Sequence, residues 1–262
     1  TYEQAAARSD VQIVINTTPC GMYPQTGQCL LDIAALPQLE AVLDVVYNPF
    51  STELVLRAKD KGLVAAGGFE MLVAQAVYAA EYFTGRALDC ETLIPKISRE
   101  LQKELQNVVL IGMPGCGKST VGAVLAQKLG KTFVDADAEI ERRTGKAIPD
   151  IFAQEGEEAF RRYEADVIAD LTRQNRQVIA CGGGVVKTPQ NLHALRQNGP
   201  VLWVQRPIEK LATAGRPLSK GSEALRRMEH ERLPLYRAAA TGTVCNDGAL
   251  TDTVTAALHL LK

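Results

Sequence analysis

Several things are scarce in this chain, and each scarcity excludes something. Histidine occurs three times, at His193, His230 and His259, too far apart to form a cluster, and the six cysteines at positions 20, 29, 90, 116, 181 and 245 include no C-x-x-C pair. That argues against a structural zinc site or a disulfide framework and fits reduced thiols. Charge of one sign is also missing, with a formal net charge of −1, so nothing suggests the basic footprint of a nucleic-acid binder. No apolar run approaches the length of a membrane span, and the first residues, Thr1 to Gln4, lack the basic and apolar regions of a signal peptide. The expectation is a cytoplasmic protein with neither membrane nor nucleic acid as partner. Against these absences, 262 residues with 46% hydrophobic content suffice for one large or two small globular cores.

Two blocks follow one another. The first predicts a strand over Val11 to Asn16, a turn-rich loop and a strand over Val42 to Tyr47. A helix over Thr52 to Lys61, a short strand at Val64 and a helix over Glu70 to Phe83 complete it. Between Glu91 and Gln106, Leu93, Ile94, Ile97, Leu101 and Leu105 share one helical stripe, with Pro95 expected in the first turn. This stripe should be exposed, repacked on its own block or buried by self-association. The second block, from Asn107 to Lys262, alternates helices with strands over Val108 to Ile111, Thr132 to Val134, Val178 to Ala180, Val201 to Val204 and Thr243 to Cys245. The fold class is therefore α/β, a parallel sheet flanked by helices, preceded by a partial α/β segment. The domains expected are 1–106 and 107–262.

The most informative stretch is Gly112 to Ser119, G-M-P-G-C-G-K-S, set between an apolar strand and a periodic helix. Its glycines permit backbone angles that let successive N–H groups turn inward around phosphates. Lys118 adds a point charge, Ser119 offers a hydroxyl to Mg²⁺, and the helix starting at Lys118 aims its positive end at the anion. Gly115, Cys116, Gly117, Lys118, Ser119 and Thr120 are thus the expected nucleotide-binding residues, with ATP and Mg²⁺ as the expected ligands. Cys116, beside a helix N-terminus, would favour a thiolate whose oxidation could block nucleotide, unless it is simply a small residue that the loop tolerates.

Three further clusters bear on the phosphate acceptor. Asp135 and Asp137 follow a strand, where one carboxylate can hold Mg²⁺ through water and the other can accept a hydroxyl proton; the alternative is a helix-capping aspartate. Arg161 and Glu164 lie three apart on one helical face, so the carboxylate can hold the guanidinium as a fork for a substrate carboxylate; the alternative is a solvated pair. Cys181 to Gly184 ends another strand with three glycines, which admits a ligand close to the backbone or forms a plain turn.

In their order, the phosphate loop, D-A-D, G-x-I-x-D-I-F (Gly145 to Phe152), G-E-x-x-F-R-x-x-E (Gly156 to Glu164), G-G-G, R-P-L (Arg216 to Leu218) and R-x-P-L-Y (Arg232 to Tyr236) resemble shikimate kinase over residues 107–262. The resemblance implies a P-loop kinase domain that phosphorylates shikimate with ATP to shikimate 3-phosphate, a step of the chorismate pathway toward aromatic amino acids. It makes Lys118, Asp137 and Arg216 catalytic, Ser119 and Asp135 metal-binding, and Asp137, Arg161, Gly183 and Arg232 substrate-binding. Arg216 would come from a lid and meet the transferring phosphoryl group. Here the lid segment, Lys210 to Ser219, is several residues shorter than usual in the family and lacks the arginine that would lie against adenine. No arginine for the base stands around Asn246 to Ala249 either, so nucleotide binding weaker or less selective than the family norm is expected. A gluconate-type P-loop kinase and a nucleotide-binding regulatory module without turnover remain alternatives.

The first block resembles the C-terminal part of shikimate 5-dehydrogenase through Asn16 to Met22, Asp44 to Pro49 and Gly68 to Ala76. By that resemblance Tyr47 and Gln75 would touch shikimate, and Asn16 and Gly68 would lie near the nicotinamide end of NADP. That family's catalytic Lys and Asp belong to an N-terminal domain, and residues 1–106 contain no G-x-G-x-x-G. The expectation is a partial, Rossmann-like unit of a bifunctional chain that binds no NADP, reduces no 3-dehydroshikimate and has the missing dehydrogenase domain as its partner.

Overall fold

The computed structural model describes residues 4–5, 7–211 and 222–262. It divides into two compact units, Thr1–Leu105 and Gln106–Lys262.

In the first unit, β1 (Ile13–Asn16), β2 (Ala41–Asp44) and β3 (Val64–Ala66) form a parallel sheet in that order, with Ile15 opposite Leu43 and Leu43 opposite Ala66. Helix α1 (Glu53–Asp60) is capped by Thr52, whose side chain accepts from Val55 N–H. One face of the sheet is covered: Val42 packs with Ile33, Leu36, Leu39, Leu54 and Ala58, with Val14 and Ala65 at the margin. The other face leaves Ile13, Ile15, Leu43 and Val64 exposed, Val64 at 72%. Parallel sheets are ordinarily buried on both faces, and here one face carries exposed apolar side chains. Strand β2 ends at Asp44, short of the expected Tyr47, because Asp44 turns its carboxylate to Val46 N–H and Thr52.

Helices α2 (Phe69–Thr84) and α3 (Cys90–Leu105) pack on each other through Val73, Val77 and Ile94, with Leu93 and Ile97 at the edge. Part of the α3 stripe, Leu93, Ile94 and Ile97, is packed within its own block, while Leu101 is exposed. Pro95 falls in the second turn of α3 rather than the first, since the helix already begins at Cys90.

The second unit holds five parallel strands: β4 (Val108–Ile111), β5 (Thr132–Asp135), β6 (Gln177–Ala180), β7 (Val201–Gln205) and β8 (Gly242–Cys245), in the order β5-β6-β4-β7-β8. Between them run α4 (Lys118–Leu129), α5 (Ala136–Thr144), α6 (Ile148–Gln154), α7 (Gly156–Arg173), α8 (Pro189–Gln197), α9 (Ser222–Ala239) and finally α10 (Leu250–Leu260). All four residues of β4 are buried at the centre of one continuous core, each contributing roughly 1.5–3 kcal/mol by its removal from water. Helix α4 approaches the sheet closely at Gly122, where an added Cβ would stand 2.7 Å from the Phe133 ring. Since every strand runs the same way, the loops after all five leave from one carboxyl edge, where open α/β sheets bind ligands.

Candidate active site

The loop between β4 and α4 is shaped by contacts that admit no side chain. Gly112 adopts φ 145° and a Cβ there would lie 2.4 Å from Val204 O; Gly117 adopts φ 97° and would meet Asn246 Nδ2 at 2.4 Å. Asn246, at the end of β8, donates to Cys116 O at 2.7 Å and accepts from Thr253 Oγ1 at 3.1 Å, so α10 braces the loop from outside. Lys118, 8% exposed, donates from Nζ to Gly112 O and Met113 O at 3.0 Å each, which holds the ammonium across the loop. Cys116 is fully buried. Its side chain is packed away from solvent, which fits the reading of a small residue that the loop tolerates.

Asp135 does two things at once. Its Oδ1 caps α5 by accepting from Asp137 N–H at 3.0 Å and Ala138 N–H at 3.4 Å, and its Oδ2 accepts from Ser119 Oγ at 2.6 Å. The capping alternative and the site alternative therefore coexist in one carboxylate. Ser119 and Asp135 present only oxygen atoms, the donor type that a hard cation such as Mg²⁺ prefers. Among the described residues no group of three or more His, Cys, Asp or Glu is placed to hold a metal.

Asp137, Arg161 and Arg232 converge on the glycine run after β6. A Cβ on Gly182 would stand 2.6 Å from Asp137 Oδ1, and one on Gly184 would stand 2.4 Å from Arg161 Nη2. Gly183 presses on Pro114 of the phosphate loop, where an added Cβ would lie 2.6 Å from the ring, and its carbonyl accepts from Arg232 Nη1 at 2.8 Å and Tyr236 Oη at 2.5 Å. The three glycines thus face three different neighbours at close range, more than a plain turn needs. They also join the loop of β4 to the arginines of α7 and α9.

Arg161 donates to Glu164 Oε2 at 2.7 Å and to Glu157 Oε1 at 3.0 Å, with Glu164 only 1% exposed. It is not a solvated surface pair. Burial pushes the Glu164 carboxyl above its ordinary range, against the pull of Arg161. Burial opposes the Arg161 charge in turn, and Glu164 and Glu157 more than offset it, so the guanidinium stays protonated. Burial likewise raises the Tyr236 phenol and the Cys181 thiol well beyond their usual ranges, which keeps Tyr236 a donor to Gly183 and Cys181 a neutral packing residue. Arg161 Nε, Arg232 Nε and Glu164 Oε1 are buried without a hydrogen-bond partner among the described residues. Orphaned polar atoms cost about 1–3 kcal/mol each, so three in one cluster call for a polar ligand or water.

Arg216 and most of the short segment around it fall within residues 212–221, outside the described residues. Gly115 adopts φ 83° in the loop, and Thr120 is exposed on the first turn of α4. In the first unit Asn16 donates to Asp44 Oδ1 at 3.0 Å and to Cys20 O at 3.3 Å, and Gly68 is buried where a Cβ would meet Val45 O at 2.1 Å. Both therefore have structural work of their own. Tyr47 and Gln75 are exposed. The role of Asn246 was missed by the sequence reading: it carries no motif signal, and only the fold brings it to the loop.

A family model for shikimate kinase matches residues 114–262. The shikimate kinase of Symbiobacterium thermophilum is 41% identical over 167 residues, 60% of this chain and 96% of that protein. Among solved structures, a shikimate kinase from Acinetobacter baumannii in complex with shikimate is 38% identical with a TM-score of 0.59, covering 62% of this chain and 96% of that one. A chorismate mutase/shikimate 5-dehydrogenase fusion protein from Clostridium acetobutylicum is 29% identical over 38% of this chain and 37% of that one, with a TM-score of 0.35.

Proposed function

The chain belongs to the shikimate kinase family, and on that premise we propose that the cluster around Gly182 to Gly184 receives shikimate while the loop before α4 receives ATP. The activity is ATP-dependent phosphorylation of shikimate. The observation that carries the assignment of residues is the convergence of Asp137, Arg161 and Arg232 on glycines that touch the phosphate loop itself.

Arg161 and Arg232 clamp the substrate carboxylate, Arg161 as a fork whose position Glu164 and Glu157 hold. Gly183 lets a ring hydroxyl approach the backbone. Asp137 accepts the proton of the attacking hydroxyl as that oxygen bonds to the γ-phosphorus and the bond to the β-phosphate oxygen breaks, giving shikimate 3-phosphate and ADP. Lys118 and the N–H groups of Gly115 to Thr120 neutralise the phosphates, and Arg216 adds charge from the lid segment. Ser119, with Asp135 through water, would hold Mg²⁺, which when bound neutralises phosphate charge. Most of the rate then comes from positioning and fixed charge in a site pre-shaped by the sheet edge.

For residues 1–106 we read the C-terminal part of a shikimate 5-dehydrogenase, supported by the motifs at Asn16, Asp44 and Gly68 and by a parallel sheet with one apolar face uncovered. Residues 1–106 contain no G-x-G-x-x-G, so this segment by itself is expected to carry out no NADPH-dependent reduction. Two assays decide the matter. ADP release should depend on shikimate and be absent with gluconate; the reverse, or tight nucleotide binding without turnover, would defeat the kinase assignment. An NADPH-dependent reduction of 3-dehydroshikimate by this chain would overturn the reading of the first unit.

A further inference from the structure

Four arginines have a buried Nε without a hydrogen-bond partner among the described residues: Arg161, Arg173, Arg206 and Arg232. In three of them another nitrogen is engaged, with Glu164, Asp170 and Gly183 O respectively. Arg206 differs: no hydrogen bond or ion pair joins it to any described residue. It directly follows β7, neighbour of β4, so the sheet delivers it to the carboxyl edge beside the phosphate loop. Its Nη1 lies 3.8 Å from the point where a Cβ on Gly117 would be, on the side braced by Asn246. It lines a cavity of about 270 Å³ with Met113, Trp203, Gln205, Glu229 and Tyr236, and Glu229 shares that cavity without pairing to it.

We propose that Arg206 binds the phosphate chain of the nucleotide, a second fixed cation beside Lys118. The inference rests on the loop binding ATP. Phosphate oxygens cradled by the N–H groups around Gly117 lie within reach of this guanidinium, and its planar fork suits them. Because Arg206 gives up no partner among the described residues to make the contact, the attraction is not spent in breaking an ion pair with any of them. It is a binding residue, a cation anchored to the end of a strand.

Calorimetric titration of the full chain with ADP and with inorganic tripolyphosphate, both with Mg²⁺, tests this in the wild type, Arg206→Met and Arg206→Lys. The methionine variant keeps the apolar stem and should weaken both ligands about tenfold or more, as loss of a charged hydrogen bond does. The lysine variant should recover part of the loss, and KM for shikimate should change less than twofold in both. Unchanged affinity in Arg206→Met would overturn the proposal. Weakening of ADP but not of tripolyphosphate would place the contact on the adenosine and overturn the phosphate assignment. Failure of the wild type to bind either ligand would instead defeat the ATP reading, and this inference with it. Should Arg206→Met not fold, the lysine variant alone decides: wild-type affinity for tripolyphosphate together with altered affinity for ADP would count against a phosphate contact.

Discussion

Arg161 is held by two carboxylates on its own helix, and removing it has two separable consequences. Arg161→Ala should raise KM for shikimate by about 10–100-fold, the effect of losing a charged hydrogen bond, with ATP affinity little changed. It also leaves Glu164 buried with its main counter-charge gone, which should destabilise the chain by about 3–5 kcal/mol. Adding Glu164→Gln should restore much of the stability and none of the KM; steady-state kinetics beside urea unfolding tells the two apart. Glu164 also sets a pH dependence. Its folded carboxyl titrates above the ordinary value, so the stability it contributes is complete below that value and is lost as pH rises through the raised one. The stability of the wild type relative to Glu164→Gln should therefore fall as pH is raised from about 4.5, and a constant difference would contradict this.

At the scale of elements, two close approaches control the site. Gly184→Ala drives a methyl into the Arg161 guanidinium and meets no atom of the phosphate loop at its closest contacts, so it should raise KM for shikimate by roughly tenfold with ATP binding little changed. Gly122→Ala separates α4 from Phe133 on β5, and overpacking of this kind should cost about 1–3 kcal/mol in thermal unfolding. Farther from the chemistry, Glu139 of α5 pairs with Arg142 and Arg143, and Arg143 also reaches Asp170 of α7. The two arginines lower the Glu139 carboxyl to about 2. A depressed carboxyl stabilises above its ordinary value and loses that effect as pH falls toward 2, so Glu139→Gln should cost about 1 kcal/mol at neutral pH and little near pH 2.

For the molecule as a whole, the two units answer substitution differently. On the first, Ile13, Ile15, Leu43 and Val64 face outward while Val42 is fully buried. Val64→Lys should change stability by no more than about 0.5 kcal/mol, whereas Val42→Ala should cost about 1–3 kcal/mol from lost burial and the cavity left behind. A large loss from Val64→Lys would mean that this face is covered in solution. The second unit contains every residue assigned to the kinase reaction, so residues 106–262 expressed alone should keep the kinase kcat, and loss of turnover would show that the first unit supports the site.

Much of this was legible from the chain alone. Strand β4, the loop from Gly112 and helix α4 were readable because an apolar run, a glycine-rich turn and a helical stripe are local signals with local causes. Arg161 and Glu164 were readable as a pair because they are three residues apart on one helix. What reading the chain left open were contacts made across the fold: that Asp135 caps α5 and holds Ser119 together, that Gly183 meets Pro114, that α10 braces the loop through Asn246, and that Arg206 reaches the edge with no partner among the described residues. Sequence determined which elements form and which chemistry they carry, because backbone preferences and side-chain charge act within a few residues. Tertiary structure decided which of them meet, because parallel strands gather the ends of distant segments at one edge, and distances there depend on packing that no local pattern encodes.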